Sequence, residues 1–527
     1  MNPSPATASD PRAAKTFPQL VRAAGEAYGD DVAITLTGES IPDDSISFRE
    51  IDRRSAELAR GLIARGVGKG TRVGFIFGNS PSFAVTLAAI ARIGAIAIPI
   101  STMIRLNELV RVLRQSDVSG LILQRKLLGK DYVERICEAL PELAVCDPDL
   151  RLSKVPFLRW VVSSGDALPA GVRDIGYLAE GAASVGDDLL REAEAEVATT
   201  DQMIEIYTSG SMALPKGVKH LHGPVLFRTH YMARMLNLAR GQRIAPFMPM
   251  FWVGGLMMWL LPNWEAGATT TCTEGTSTDS RIAMGSVLAD EDLAKIKGPK
   301  PWWGLGMSET LGPYSYGDDF RAPGYPVCAP MDHFADGYEV RIADEHDQPV
   351  AVGEVGELQI RGYPVTPGLH KVEREGYWTA DGFFHTGDMC LAEGSRVHFV
   401  GRGGDMIKTA GSNVSPAEVE MELQALDGVH SAYVVGLPDP QRGQIVAAAV
   451  VPVEGRHLDV ATIEKDLRAR LSSYKVPRKY VQISRDEVPM LPSNKVAKRE
   501  IAELIERRWN ALHPSPLLET KGLFISS

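Results

Sequence analysis

Across residues 48–65 apolar side chains recur at Ile51, Leu58, Ala59 and Leu62, the spacing of one face of an amphipathic helix. The run 73–77 predicts a buried strand, Asn79-Ser80-Pro81 signals the start of a helix over 83–92, and 95–99 predicts the next strand. Strand–helix–strand alternation of this kind implies an α/β body with a largely parallel sheet. Residues 164–200 are small, acidic and Gly/Ala-rich, which predicts surface structure ahead of a strand at 204–208. At Gly401-Arg402-Gly403-Gly404 the pattern breaks into a flexible tetrapeptide. Beyond it come a helix (416–426), two strands (432–437, 445–452), a helix (462–471) and a strand (480–483), a compact α+β module of about one hundred residues. The expected organisation is a disordered tail (1–15), a large N-terminal multi-layer α/β domain (16–402), a small mobile C-terminal α+β domain (403–510) and a second tail (511–527).

Residues 245–264 carry no charge over twenty positions, long enough to cross a bilayer. Pro246, Pro249, Gly254, Gly255 and Pro262 interrupt the run and no basic cluster flags an end, so a buried wall is expected instead of a membrane segment. Its aromatics and methionines suit the lining of an apolar pocket. In the 527 residues, 56 Lys and Arg stand against 66 Asp and Glu, a net charge of −10. That balance argues against a nucleic-acid partner. Five scattered cysteines form no disulfide framework or zinc pattern, and residues 1–20 lack the apolar core of a signal peptide. A protein of the cytoplasm is the expectation.

The segment Tyr207-Thr-Ser-Gly-Ser-Met-Ala-Leu-Pro-Lys-Gly-Val218 delivers a β-run into a loop of hydroxyls and glycine that ends on Lys216. Backbone N–H groups and hydroxyls in such a turn can surround phosphate oxygens while the lysine neutralises charge. It is not a Walker A loop, because Lys216 lies six residues after Gly210 and precedes Gly217. Alone, the segment reads equally well as a Ser/Gly surface turn.

It resembles the phosphate-binding signature of the acyl-adenylate-forming superfamily, which includes acyl-CoA synthetases, adenylation domains and beetle luciferases. Four further segments resemble that family's motifs in order. These are Gly304-Leu-Gly-Met-Ser-Glu-Thr310, Thr386-Gly-Asp388, Gly401-Arg402 through Pro416, and Leu491-Pro-Ser-Asn-Lys-Val-Ala-Lys-Arg499. The matches span about residues 45 to 500.

The resemblance implies coupling of a carboxylic acid to ATP, giving an acyl-adenylate and pyrophosphate, and then acyl transfer to a thiol. Thr208, Ser209, Gly210, Ser211 and Lys216 would cradle the phosphates, with Lys216 gripping the β- and γ-phosphates. Ser308 would contact the α-phosphate, and Glu309 would hold Mg²⁺, a hard cation that takes oxygen ligands. Asp388 would accept both ribose hydroxyls with Arg402 in support. Lys495 would bridge the carboxylate and the α-phosphate, where cationic charge offsets the repulsion of two anions. Gly404 occupies the pivot position of the rotating small domain, and Gly411, in a loop over 408–416, would line the channel for coenzyme A. Phe251, Trp252, Gly254 and Gly255 lie where the family builds its acyl pocket. With no acid nearby to pair an ammonium, an apolar or aromatic carboxylate fits better than an α-amino acid.

The sequence also departs from the pattern. Met212 and Ala213 replace a usual Thr and Gly, Leu305 a frequent aromatic, and Asn494 a usual glycine. Only 93 positions separate Lys216 from Glu309 (309 − 216), and 32 separate Cys272 from Gly304 (304 − 272), an interval in which no adenine-binding turn is evident. The leading expectation is an acyl-CoA synthetase using ATP, Mg²⁺ and coenzyme A on a hydrophobic acid, whether fatty, aryl or steroid. Two alternatives stay open: delivery of the acyl group to a carrier protein or amine, and a degenerate member that binds without turnover. No residue fixes the oligomeric state, and a homodimer is one option.

Overall fold

The structure, a computed structural model, describes residues 10–208, 215–246, 248–274, 305–316, 331, 333–402, 407–414, 416–456, 458–489 and 496–513. The chain divides into two compact units at Gly404/Asp405.

The first unit is built on a seven-stranded sheet in the order Lys216–Leu221, Gln202–Thr208, Ile96–Pro99, Arg72–Ile76, Gly120–Leu123, Trp160–Ser163, Arg173–Asp174. All neighbours are parallel except the first pair, an antiparallel hairpin. The helices start where the sequence places caps. Ser47 accepts from Glu50 N to open Phe48–Ala64. Ser80 accepts from Phe83 N to open Pro81–Ala91, with Pro81 at the first helical position. The two faces of the sheet fill separate cores, as period-two alternation requires. Phe75 joins the cluster of Phe83, Leu87 and Trp264, and its neighbour Ile76 joins that of Ile98, Leu121 and Ile136.

Residues 10–15 correct the expected tail: Pro11–Ala13 form a 3-10 turn capped by Asp10, Pro11 is buried, and the helix Phe17–Tyr28 follows directly. Residues 1–9 lie outside the described residues. The acidic stretch 164–200 contains the helices Gly176–Ala182 and Asp187–Ala195. The uncharged run is no single long helix. It comprises Val253–Gly255, Leu256–Leu260 and Leu261–Ala266, with Met257, Leu260 and Trp264 in the core. No helix among the described residues is long and apolar enough to cross a membrane. The sequence pattern did not reveal the four-stranded antiparallel meander Tyr338–Ala343, Val355–Gly362, Phe384–Glu393, Arg396–Arg402.

The second unit is an α+β module. Ser412–Val414, Ile407–Thr409, Gly443–Pro452 and Val429–Asp439 form a sheet to which Lys479–Gln482 adds in parallel. The helices Pro416–Gln424 and Val460–Arg470 share one core with Val434 and Val450, and Lys498–Leu512 shares another with Val435 and Ala449. The expected 408–416 loop is instead a β-hairpin, turned at Ala410 (φ 46°) and Gly411 (φ 80°). The expected 511–527 tail begins inside a helix that runs to Leu512.

Candidate active site

Thr208 and Lys216 are opposite partners at the end of the antiparallel hairpin, so the strands hold both ends of the hydroxyl-rich loop in register. Ser209, Gly210 and Ser211, together with Gly404 and Lys495, fall outside the described residues. The hairpin base is fixed by a buried polar network. Fully buried Glu205 accepts from Arg72, from Tyr207 Oη at 2.8 Å and from Gln202 Nε2 at 3.1 Å. The Arg72 guanidinium also lies 3.1 Å from His370 Nδ1, while His370 N donates to Gly217 O at 2.7 Å. A Cβ at position 217 would sit 2.4 Å from Glu205 Oε1, which explains the glycine beside Lys216.

Lys216 is buried, and its Nζ lies 4.2 Å from the centre of the Tyr377 ring. Among the described residues it has no carboxylate partner. A buried ammonium that meets only an aromatic face is under-compensated. A phosphate is the anion this position suits, so the donor set fits a nucleoside triphosphate.

Ser308 and Glu309 lie on a 3-10 turn, Ser308–Thr310, between the short paired strands Gly306–Met307 and Gly312–Pro313. Leu311 in the left-handed region (φ 53°) reverses the chain. Thr366 N donates to Glu309 O at 2.7 Å, and Thr366 Oγ1 donates to Lys219 O at 2.8 Å, three residues beyond Lys216. One buried threonine thus ties the two phosphate-side motifs together. His220, fully buried on the same strand, hydrogen-bonds the Ser308 backbone, and burial pushes its pKa down to about 3 against that bond.

Asp388 is buried on the strand Phe384–Glu393, where its N–H donates to Thr386 Oγ1 at 3.0 Å and the left-handed Gly387 (φ 72°) precedes it. It stands opposite Arg402 in the ladder. Tyr314 Oη lies 3.5 Å from Asp388 Oδ2, and Tyr314 N donates to Leu305 O at 2.9 Å. The second and third signatures are therefore neighbours through a tyrosine that no motif reading named. Leu305 is buried in the same apolar cluster as Tyr314 and Trp378, and Met307 packs partly against it. Thr366, Tyr377, His220 and Tyr314 all escaped sequence reasoning, because their roles come from long-range contacts.

At the expected acyl pocket, Phe251 is in the core and meets Trp252 edge-on at 5.5 Å. A Cβ at Gly255 would lie 2.1 Å from Pro249 O, and one at Gly254 would lie 2.1 Å from Met248 Sδ. Close packing of the 248–250 turn on the helix start thus accounts for both glycines. Gly411 lies on the hairpin turn of the second unit.

A family model described as AMP-binding enzyme matches residues 21–289, and one described as AMP-binding enzyme C-terminal domain matches 418–495. The chain belongs to the AMP-binding enzyme family. This AMP-binding enzyme is 30% identical over 502 residues to a feruloyl-CoA synthase of Amycolatopsis sp, covering 87% of this chain and 93% of the relative. It is 26% identical over 514 residues to the indoleacetate–CoA ligase of Aromatoleum aromaticum, covering 90% and 96%. Its fold is shared with a double mutant of o-succinylbenzoate CoA synthetase from Bacillus subtilis (TM-score 0.70, 19% identity, 92% of this chain and 98% of the other). It is shared as well with an amide bond synthetase from Marinactinospora thermotolerans (TM-score 0.72, 21% identity, 93% and 99%). The adenylate-forming family expected from the ordered motifs is the family to which the chain belongs.

Proposed function

We propose that this AMP-binding enzyme is an acyl-CoA synthetase for an apolar, preferably aromatic, carboxylic acid. The observation that carries the reading is the buried Lys216 ammonium, which has no carboxylate partner among the described residues and is tied through Thr366 to the turn bearing Glu309. The carboxylate oxygen attacks the α-phosphorus of ATP and pyrophosphate leaves. The coenzyme A thiolate then attacks the acyl carbon, and AMP leaves with the electron pair of the broken C–O bond. Lys216 and the hydroxyls of Thr208, Ser209 and Ser211 hold the departing phosphates, Ser308 the α-phosphate, and Asp388 with Arg402 the ribose. Glu309 would hold Mg²⁺, which supplies positive charge against the phosphates. Lys495 stabilises charge in the first half-reaction only, Gly404 serves as the pivot between the two, and Gly411 borders the path of coenzyme A.

Support for an aromatic acid comes from the uncharged Phe251–Trp252 wall and from relatives named for feruloyl and indoleacetate substrates. The amide bond synthetase among the structural neighbours keeps amine delivery as the second reading. The test uses the full chain with ATP, coenzyme A and a panel of fatty, aryl and steroid acids. AMP release should require both acid and coenzyme A. Lys495→Ala should abolish acid-dependent ATP–pyrophosphate exchange yet spare thioester formation from premade acyl-adenylate. Equal loss of both half-reactions would remove the two-pose assignment, and pyrophosphate exchange without thioester would favour the amine or carrier reading.

A further inference from the structure

Arg228 is one of the largest fully buried side chains of the molecule, and a guanidinium stays charged at any relevant pH. Its Nη2 donates to Pro313 O and lies 3.5 Å from Met232 Sδ. Among the described residues its Nε and Nη1 have no hydrogen-bond partner, and no carboxylate pairs with it. The rings of Tyr231 and Tyr338 flank it, with centroids 4.8 and 5.3 Å from Cζ. Aromatic faces offset part of the charge, but the N–H donors of two enclosed nitrogens remain unspent. Folding alone gives no reason for this residue, since an apolar side chain of similar volume would fill the space without a desolvated charge.

The position supplies the reason. Arg228 lies on the helix His222–Met235, which packs on the 256–266 wall and shares Val225 and Leu226 with the core of Phe251 and Met257. The carbonyl it holds belongs to the hairpin arm that returns from Glu309, where, among the described residues, a Cβ at Gly312 would meet Met257 at 4.0 Å. The guanidinium therefore stands where the apolar wall, the helix and the nucleotide-side hairpin converge. Met232, whose sulfur lies against the guanidinium, is a flexible thioether that repacks readily around an incoming group.

We propose that Arg228 receives an oxygen at the end of the substrate acid remote from its reacting carboxylate, and that the enzyme selects flat apolar acids bearing such an oxygen. This rests on the acyl-CoA synthetase reading and deepens it. The planar fork of N–H donors between two tyrosine rings matches a phenolic or carboxylate oxygen carried in the plane of an aromatic ring.

The experiment measures AMP release by the full chain with ATP, coenzyme A and three acids: 3-phenylpropenoic acid, its ring 4-hydroxy counterpart and its ring 4-carboxy counterpart. At least one oxygen-bearing acid should exceed the plain acid in kcat/KM by about tenfold or more, a discrimination typical of a site built around a hydrogen bond. Arg228→Met should bring that ratio within about threefold of unity, mainly through KM for the oxygen-bearing acid. Preference for the hydroxy acid identifies a phenolic oxygen, and preference for the carboxy acid a second carboxylate. A wild-type ratio near unity for both acids, or a preference that Arg228→Met retains, overturns the proposal. If Arg228→Met fails to fold, as read by circular dichroism, Arg228→Lys decides, because it keeps the charge and loses the fork. A reduced ratio supports the proposal and an unchanged one overturns it. Absence of acid-dependent AMP formation across the wider panel overturns the synthetase reading itself and this proposal with it.

Discussion

Replacing Thr366 by valine removes one hydroxyl and little else. The isosteric side chain keeps the shape of a site that is 2% exposed, and the Thr366 N–H that holds Glu309 O belongs to the backbone. The hydroxyl faces the carbonyls of Lys219 at 2.8 Å and Gly368 at 2.9 Å, but it has a single proton for both. The loss is therefore that of one donated hydrogen bond and of the longer one the hydroxyl accepts from Gly368 N at 3.3 Å, about 1 kcal/mol net, rising to about 1–3 kcal/mol if a buried carbonyl is left without a donor. With tenfold per 1.4 kcal/mol, the ceiling on a binding effect is about 5- to 150-fold. Because Lys219 continues the strand of Lys216 and Thr366 also holds Glu309, the cost should fall on the triphosphate. In ATP–pyrophosphate exchange, Thr366→Val should raise KM for MgATP about fivefold or more and leave KM for the acid within about twofold, and Thr366→Ser should restore it. A lowered melting temperature with an unchanged MgATP KM would refute the coupling and leave Thr366 a packing residue. Equal rises in both KM values would refute it as well.

His220 is held neutral with a pKa near 3, and His222 near 4, by burial, whereas both protonate near 6.5 once unfolded. The unfolded chain therefore takes up protons that the folded chain refuses. Stability is fully present above about pH 6.5 and falls on acidification by about 1.4 kcal/mol per pH unit for each histidine. Melting curves between pH 7 and 5 should fall, and His220→Gln should make the fall shallower; an unchanged slope would refute the assignment. Gly255→Ala places Cβ 2.1 Å from the Pro249 carbonyl oxygen, a backbone atom that cannot swing aside, whereas Gly254→Ala meets the flexible Met248 sulfur. The first should cost about 1–3 kcal/mol or more in thermal unfolding and the second less, and equal tolerance of both would refute the close-packing account.

What was legible in the sequence was local. Ser80 announces a helix start because a side-chain oxygen beside a helical pattern has one favourable use. The strands at 73–77 and 95–99 read well because both faces are buried and the runs are continuously apolar, whereas Gly120–Leu123 and Trp160–Ser163 of the same sheet went unread. The 498–512 helix was missed although Ile501 and Ile505 are four residues apart and both buried, since its start overlaps the Leu491–Arg499 motif and its helical period shows only beyond it. The 407–414 hairpin lacks the Asn-Gly or Asp-Gly turn that would signal it, using Ala410-Gly411 instead. Of the site, residue types within motifs were readable. The groups that aim them were not: Glu205, His370 and Thr366 act across separations of hundreds of positions, which no spacing rule reports.

The strand ladder of the large unit ends at Arg402, and that of the small unit begins at Ile407. The chain between those two residues can reach at most about 18 Å even when fully drawn out. The two strand ends can therefore never part by more than that span, which by itself keeps the units at a local concentration of about millimolar or above. If Lys495 and Gly411 act in the two half-reactions as proposed, lengthening that connection should slow both alike by dilution. Two halves supplied as separate chains would face the same dilution in full.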